Sequence, residues 1–154
     1  MNSPKVWTRD DGYEIDRARA RLDVPFIINF LSESYWADNV RPDVLARSIE
    51  RSDPFGLYAP AGEPAGFARL VTDASRFAWL SDVFVVPEHR GKALGRWLVE
   101  TIVACPDYSD VGMWCLATRD AHSLYAKVGF DAIDDPSRFM MRPGRARVQP
   151  TEEP

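Results

Sequence analysis

One stretch limits what this chain can fold into more than any other: Val83-Phe84-Val85-Val86-Pro87-Glu88-His89-Arg90-Gly91-Lys92-Ala93-Leu94-Gly95-Arg96-Trp97-Leu98. It reads as an apolar strand ended by a proline, a short basic loop with two glycines, and the first turns of a helix. Such a junction turns several backbone N–H groups and the positive end of a helix dipole toward one point, an arrangement that binds phosphate. The rest of the chain must then present a second reactant to whatever carries those phosphates.

Size and composition bound the setting. The 154 residues suit one domain, and 45% hydrophobic with 27% charged residues is enough to close a core without disulfides or metal. The formal net charge of -4 gives a nucleic-acid role no electrostatic support. No apolar run is long enough to span a bilayer, and Met1-Asn2-Ser3-Pro4-Lys5 lacks the apolar segment of a secretory leader. Cys105 and Cys115 form no Cys-x-x-Cys pair, and His89 and His122 stand apart, so neither a disulfide framework nor a metal site is expected. A cytoplasmic enzyme or binding domain is the expectation.

Read in order, residues 1–12 are polar and loosely held, and Tyr13 to Arg19 is an edge strand. Asp23 caps a helix with Pro25 in its first turn and apolar residues at 24, 27, 28 and 31. That helix runs into a Ser34-Tyr35-Trp36 corner. A second helix starts at Arg41-Pro42-Asp43 and stops at Asp53-Pro54. The period then changes: strands at 55–59 and 65–71 form a hairpin, and the strand at 77–86 is apolar on both faces and so central. A helix over 93–103, a strand over 111–117 and a short helix over 120–127 with Gly129 past its end follow. Strands are expected at 130–133 and 138–142, and Trp79 and Trp114 are expected in the core. This order predicts a single α/β (α+β) domain over residues 1–142, a mixed central β-sheet flanked by helices, and a disordered tail at 143–154.

The loop is not a Walker A motif, since Val86 stands where that needs glycine and Ala93 follows Gly91-Lys92. Nor is it a dinucleotide fingerprint, because hairpins precede it. Alone, it is equally a plain helix start with solvated basic side chains. Its surroundings decide. The run Val85-x-Pro87-Glu88-x-Arg90-Gly91-Lys92-x-Leu94-Gly95 resembles the acetyl-CoA loop of the GNAT acyltransferase superfamily, Arg/Gln-x-x-Gly-x-Gly/Ala. Arg90 and Gly95 fit, while Ala93 replaces the middle glycine, which matters if that residue needs a positive φ. Downstream, Ala121-x-x-Leu124-Tyr125-x-Lys127-x-Gly129-Phe130 resembles a second signature of the same family at a fitting distance. Together with the element order, the resemblance covers roughly residues 13–142.

The resemblance implies strands that splay at the cofactor site and an N-acetyltransferase that moves acetyl from acetyl-CoA directly to an amine in a ternary complex, without metal or nucleophilic cysteine. Pantetheine would bond to the backbone of Val83, Phe84 and Val85 like an added strand. The pyrophosphate would sit on the amides of Arg90, Gly91, Lys92, Ala93, Leu94, Gly95 and Arg96, with charge from Lys92 or Arg96. Thr118 stands near a cofactor-touching asparagine of many relatives. Tyr125 would protonate the departing thiolate. Relatives often place a carboxylate base on the long strand, where Ser81 stands here and Asp82 follows. Alternation puts Ser81 on the face of Val83 and Val85 and Asp82 opposite, unless a bulge reverses it. Asp82 as base and deprotonation through water both stay open. Ser34, Tyr35 and Trp36, with Arg41 nearby, come from the region that forms the acceptor pocket, and that pocket would also take in Ser81. A module that binds acyl-CoA without turnover, and an enzyme with another donor or acceptor, are the competing readings. Dimers are common in such folds, so a homodimer is an expectation without a named interface.

Overall fold

The computed structural model describes residues 5–37 and 39–144. Its strands form one sheet in chain order: β1 (Val6–Thr8), β2 (Glu14–Asp16), β3 (Asp53–Tyr58), β4 (Pro64–Thr72), β5 (Phe77–Val85) and β6 (Met113–Cys115). Neighbours are antiparallel except β5 and β6, which run parallel. The helices α1 (Val24–Ser32), α2 (Pro42–Glu50), α3 (Leu94–Val103) and α4 (His122–Ala126) flank the sheet, as the sequence predicts. Two apolar clusters hold the layers together. Ile27 and Leu31 of α1 and Leu45 and Ile49 of α2 pack with Phe67, Phe84 and Val86. Leu98 and Ile102 of α3 pack with Leu57, Leu70 and Leu80. Asp23 caps α1 by accepting the Phe26 N–H at 3.0 Å, with Pro25 in the first turn. Among the described residues no helix is long and apolar enough to cross a membrane.

Two expectations about the ends change. Val6–Thr8, read as loose, is the outer strand of a hairpin with β2, and Gly12 turns it at φ 89°. The stretches 130–133 and 138–142 form no strands. Asp135 instead accepts the Ser137 N–H at 3.1 Å and starts a helical turn over Pro136–Arg138. Asp-Pro is turn chemistry, and it stops the chain from running straight back along β6. The expected disordered tail at 143–154 lies, from residue 145 on, outside the described residues.

The sheet opens between β5 and β6. β5 and β6 pair only from Phe77 to Trp79, against Met113 to Cys115. Beyond Trp79 the two strands part. On the other side, the register of β4 against β5 shifts between Phe67 and Arg69, where β5 carries one extra residue around Asp82. Asp82 adopts φ 55°, a left-handed conformation. The bulge reverses the alternation of side chains. Ala78 and Leu80 belong to the α3-side cluster, and past Asp82 it is Val83 and Val85 that pack there. Phe84 and Val86 turn to α1 and α2. Gly66 permits this approach, since a Cβ there would collide with the Phe84 carbonyl oxygen.

Candidate active site

The splay exposes backbone. Val86 N–H donates to the Ala65 carbonyl at 2.9 Å, so alternation turns Phe84 toward β4 as well, and aims the amide groups of Val83 and Val85 into the gap left by β6. A cleft of about 610 Å³ lies along this edge, between the loop after β5 and α4. Of the residues expected at the cofactor, Val83 to Val85 and Arg90 to Arg96 all line it except Lys92, and Thr118 does not. Arg90 Nε donates to the Val85 carbonyl at 2.8 Å, which occupies one group the expectation left for a ligand. The Val85 N–H is not part of that bond.

Lys92 turns away because the loop is tied from behind. Its ammonium donates to the Tyr13 hydroxyl at 3.0 Å, and that hydroxyl also meets His89 Nδ1 at 2.8 Å. Arg9 Nη1 donates to the Lys92 carbonyl at 2.9 Å and its guanidinium lies over the Trp97 ring. Thus the turn between β1 and β2 holds the loop after β5 in shape, and Arg96 is the basic side chain of the helix start that lines the cleft. It is also paired with Glu100 at 2.6 Å. The glycine of the usual loop is missing where it is needed: Ala93 sits at φ 56°, ψ 27°, directly before α3. A left-handed alanine costs about 1–2 kcal/mol relative to its ordinary conformation, a cost glycine escapes. Ala93→Gly is therefore expected to raise stability by about 1 kcal/mol, read as a shift of urea midpoint at unchanged slope. A lower midpoint would show that the methyl group packs usefully.

Tyr125 stands where three spaces meet. It lines the cleft, a smaller pocket of about 350 Å³ under α2 and the segment that joins it to α1, and a groove behind α4. Its position follows from α4 packing Leu124 and Tyr125 onto the α3-side cluster. Burial, with Tyr35 and Asp120 adding to it, pushes its hydroxyl up to about 12. The phenol is thus protonated at neutral pH and is able to donate.

The smaller pocket brings together Tyr35, Trp36, Ser81 and Asp82. Trp36 Nε1 donates to Asp82 Oδ1 at 3.0 Å, and Arg69 Nε donates to Asp82 Oδ2 at 2.5 Å. Arg69 Nη2 also reaches Ser81 Oγ at 3.2 Å. The bulge is the reason Asp82 shares this pocket with Ser81, against the simple alternation expected for the strand. Tyr35 spans the mouth: its hydroxyl donates to Asp120 Oδ1 at 3.3 Å and accepts the Arg119 N–H at 3.2 Å, and the Arg119 guanidinium stacks on its ring. Ser34 does not join them. It is buried, and its hydroxyl donates to the Leu31 carbonyl at 2.7 Å. Arg41 points to Asp43 and is exposed. Thr118 lines this pocket and accepts the Ala121 N–H at 3.0 Å. Trp79, expected in the core, is 38% exposed and lines the pocket, whereas Trp114 packs against the core. Arg9, Tyr13, Arg69 and Trp79 are the residues the sequence reading missed. The hairpin signal Asp11-Gly12 between two alternating stretches points to the first pair, but nothing local points to Arg69. Among the described residues no cluster of three His, Cys, Asp or Glu could hold a metal.

The family model for the acetyltransferase (GNAT) domain matches residues 52–132, from β3 through α4. A protein of Gibberella zeae assigned as an acetyltransferase is 29% identical over 147 residues, covering 82% of each chain. The crystal structure of glucosamine-6-phosphate N-acetyltransferase from Arabidopsis thaliana shares the fold at a TM-score of 0.61, with 16% identity over 86% of this chain and 98% of that one. A GNAT-family protein of Xanthomonas campestris pv. campestris, also assigned as an acetyltransferase, superposes at a TM-score of 0.82 with 34% identity over 88% of this chain and 95% of its own. Identity at that level across nearly the whole of both chains, together with the family model's match, makes this chain a member of the GNAT acetyltransferase family.

Proposed function

We propose that residues 1–142 act as one catalytic unit that transfers acetyl from acetyl-CoA directly to the amine of a small molecule or peptide. The observation that carries this reading is the position of Tyr125 between two spaces, one beside an anion loop and a splayed strand, the other walled by aromatic rings. Pantetheine bonds to the Val83 and Val85 backbone, and the pyrophosphate sits on the amides from Arg90 to Arg96 with Arg96 supplying charge. The amine enters between Trp36, Trp79 and Tyr35, where ring faces suit an ammonium group. Its neutral form attacks the thioester carbonyl carbon, whose oxygen is polarised by a strand N–H. As the C–S bond breaks, Tyr125 donates a hydrogen bond to the sulfur. The proton from nitrogen leaves through water, and Asp82, whose two oxygens accept from Trp36 and Arg69, holds Trp36 in place. Two free cysteines, one of them buried, and the acetyl-CoA requirement suit a cytoplasmic setting.

Titration calorimetry with acetyl-CoA, followed by thiol release against a panel of amines, tests this. Saturable binding and amine-dependent release are expected. Binding without release from any amine would leave a module that holds acyl-CoA without turnover, and no binding would remove the donor.

A further inference from the structure

The pocket that Tyr125 shares with the cleft carries its net charge at one end. Arg69 and Asp82 line it as a bonded pair, with side chains 15% and 4% exposed, and together they present no net charge. Asp120 is the third charged residue along its lining, and it lines the cleft as well. Its carboxylate bears on the Tyr125 hydroxyl and helps to hold the proton there. The neighbouring Arg119 stacks on Tyr35 and stands 3.9 Å from Asp120 Oδ2, but the pair is exposed and weak, and Arg119 lines neither space. An ammonium that reaches Tyr125 therefore meets a carboxylate. The body that follows it into the pocket meets no uncompensated charge.

What that body meets is apolar. Val40, Val44 and Leu45 line the pocket together with Trp36 and Trp79. The apolar surface also runs on past the pocket. On β5, Ala78 and Leu80 pack into the α3-side cluster, so alternation puts Phe77, Trp79 and Ser81 on the opposite face. Val71 of β4 pairs with Trp79 and shares that face, because Leu70 packs into the α3-side cluster. Phe77 is 40% exposed, Trp79 38% and Val71 43%. Uncovered apolar side chains that continue the wall of a pocket mark where the apolar part of a ligand lies. We propose that the acceptor is a primary amine on a long, uncharged apolar body, an alkylamine or arylalkylamine. Its ammonium docks at Asp120 beside Tyr125, its chain passes Trp36 and Val44, and its far end lies over Trp79, Val71 and Phe77. This assignment rests on the proposed acetyl transfer to an amine and narrows it. A second ammonium or a carboxylate at the far end is rejected, because that charge would lose its water over apolar side chains and gain no partner.

Titration calorimetry of the full chain, alone and saturated with coenzyme A, tests the assignment with butylamine, octylamine, 1,8-diaminooctane and 8-aminooctanoate. Kd is expected to fall about twofold per added methylene, so that octylamine binds on the order of tenfold more tightly than butylamine. The two probes with a charged far end should return to the level of butylamine. Val71→Lys places a charge at the far end of the path on a side chain that is already 43% exposed, so the fold should hold. It is expected to weaken octylamine about tenfold and to remove most of its advantage over butylamine. Asp120→Asn, at a side chain 62% exposed, should weaken both alkylamines by a similar factor, about fivefold. Equal affinity across the alkyl series overturns the proposal. So does a charged-end probe that binds as tightly as octylamine, a Val71→Lys chain that keeps the full gain with length, or an Asp120→Asn chain that binds as wild type. The alkylamine affinities require no donor. A protein that ranks the amines this way but ignores acetyl-CoA would lose the proposed transfer and keep the pocket assignment. One that acetylates amines without regard to their bodies would do the reverse.

Discussion

Replacing Tyr125 by phenylalanine is expected to lower kcat about a hundredfold while leaving KM for acetyl-CoA within about twofold, the pattern of an interaction made only in the transition state. The ring remains, so the packing of α4 on the α3-side cluster remains with it. What disappears is a hydroxyl displaced up to about 12 by burial first, then by Tyr35 and Asp120. A coenzyme A thiolate has a conjugate acid nearer 8.5, so complete transfer from this phenol is uphill. In the proposed reaction its contribution is a hydrogen bond that strengthens as charge develops on sulfur, with the proton finally supplied from the product nitrogen through water. The pH profile follows. The rate should rise as the amine loses its proton and should show no descending limb near pH 10, where an ordinary tyrosine would ionise. The sign for stability is also fixed. The folded-state value lies above the unfolded one, so the associated stability is present in full below pH 10 and is lost as pH climbs toward 12. A Tyr125→Phe enzyme with wild-type kcat would remove the tyrosine from the chemistry and leave the family membership standing.

Much of this is legible in the residues, and the exceptions share a cause. The strand, proline, loop and helix from Val83 to Leu98 are local features, and they form as read. Asp23 and Pro25 start α1 as their chemistry requires. Tyr125 stands out because it lies within a spaced signature on a short helix. The missed features all depend on partners far along the chain. Tyr13 and Lys92 meet across 79 positions, and Arg9 reaches the Lys92 carbonyl across 83. The bulge has no glycine as a marker, because aspartate tolerates the left-handed region better than most side chains and Arg69 holds it there. Residues 138–142 have strand composition, but composition does not state whether an edge is within reach. Trp79 reads as core on a strand that is apolar on both faces, but its ring lines the pocket beside α2 and stays 38% exposed.

Arg69 carries the second large prediction. Arg69→Met should cost about 3 kcal/mol, because it leaves the Asp82 carboxylate 6% exposed with the Trp36 indole as its one remaining side-chain partner among the described residues. For a chain of this size that corresponds to a melting temperature lower by about 10 °C. The pair itself need not stabilise the fold. Its two charges are 15% and 4% exposed in their side chains, and the desolvation of both offsets much of their attraction. Adding Asp82→Asn to Arg69→Met should therefore recover most of the loss. Asparagine removes the stranded charge, still accepts from Trp36, and is as tolerant of φ 55° as aspartate. Thermal melts of the two single variants and the double variant measure the coupling directly. Kinetics then separate fold from function: with stability restored and Trp36 still bonded to residue 82, Ser81 loses its bond from Arg69, so KM for the amine should rise about threefold while KM for acetyl-CoA holds. Additive melts, or a double variant no better than Arg69→Met alone, would show that the arginine supports the bulge by packing and not by neutralising Asp82.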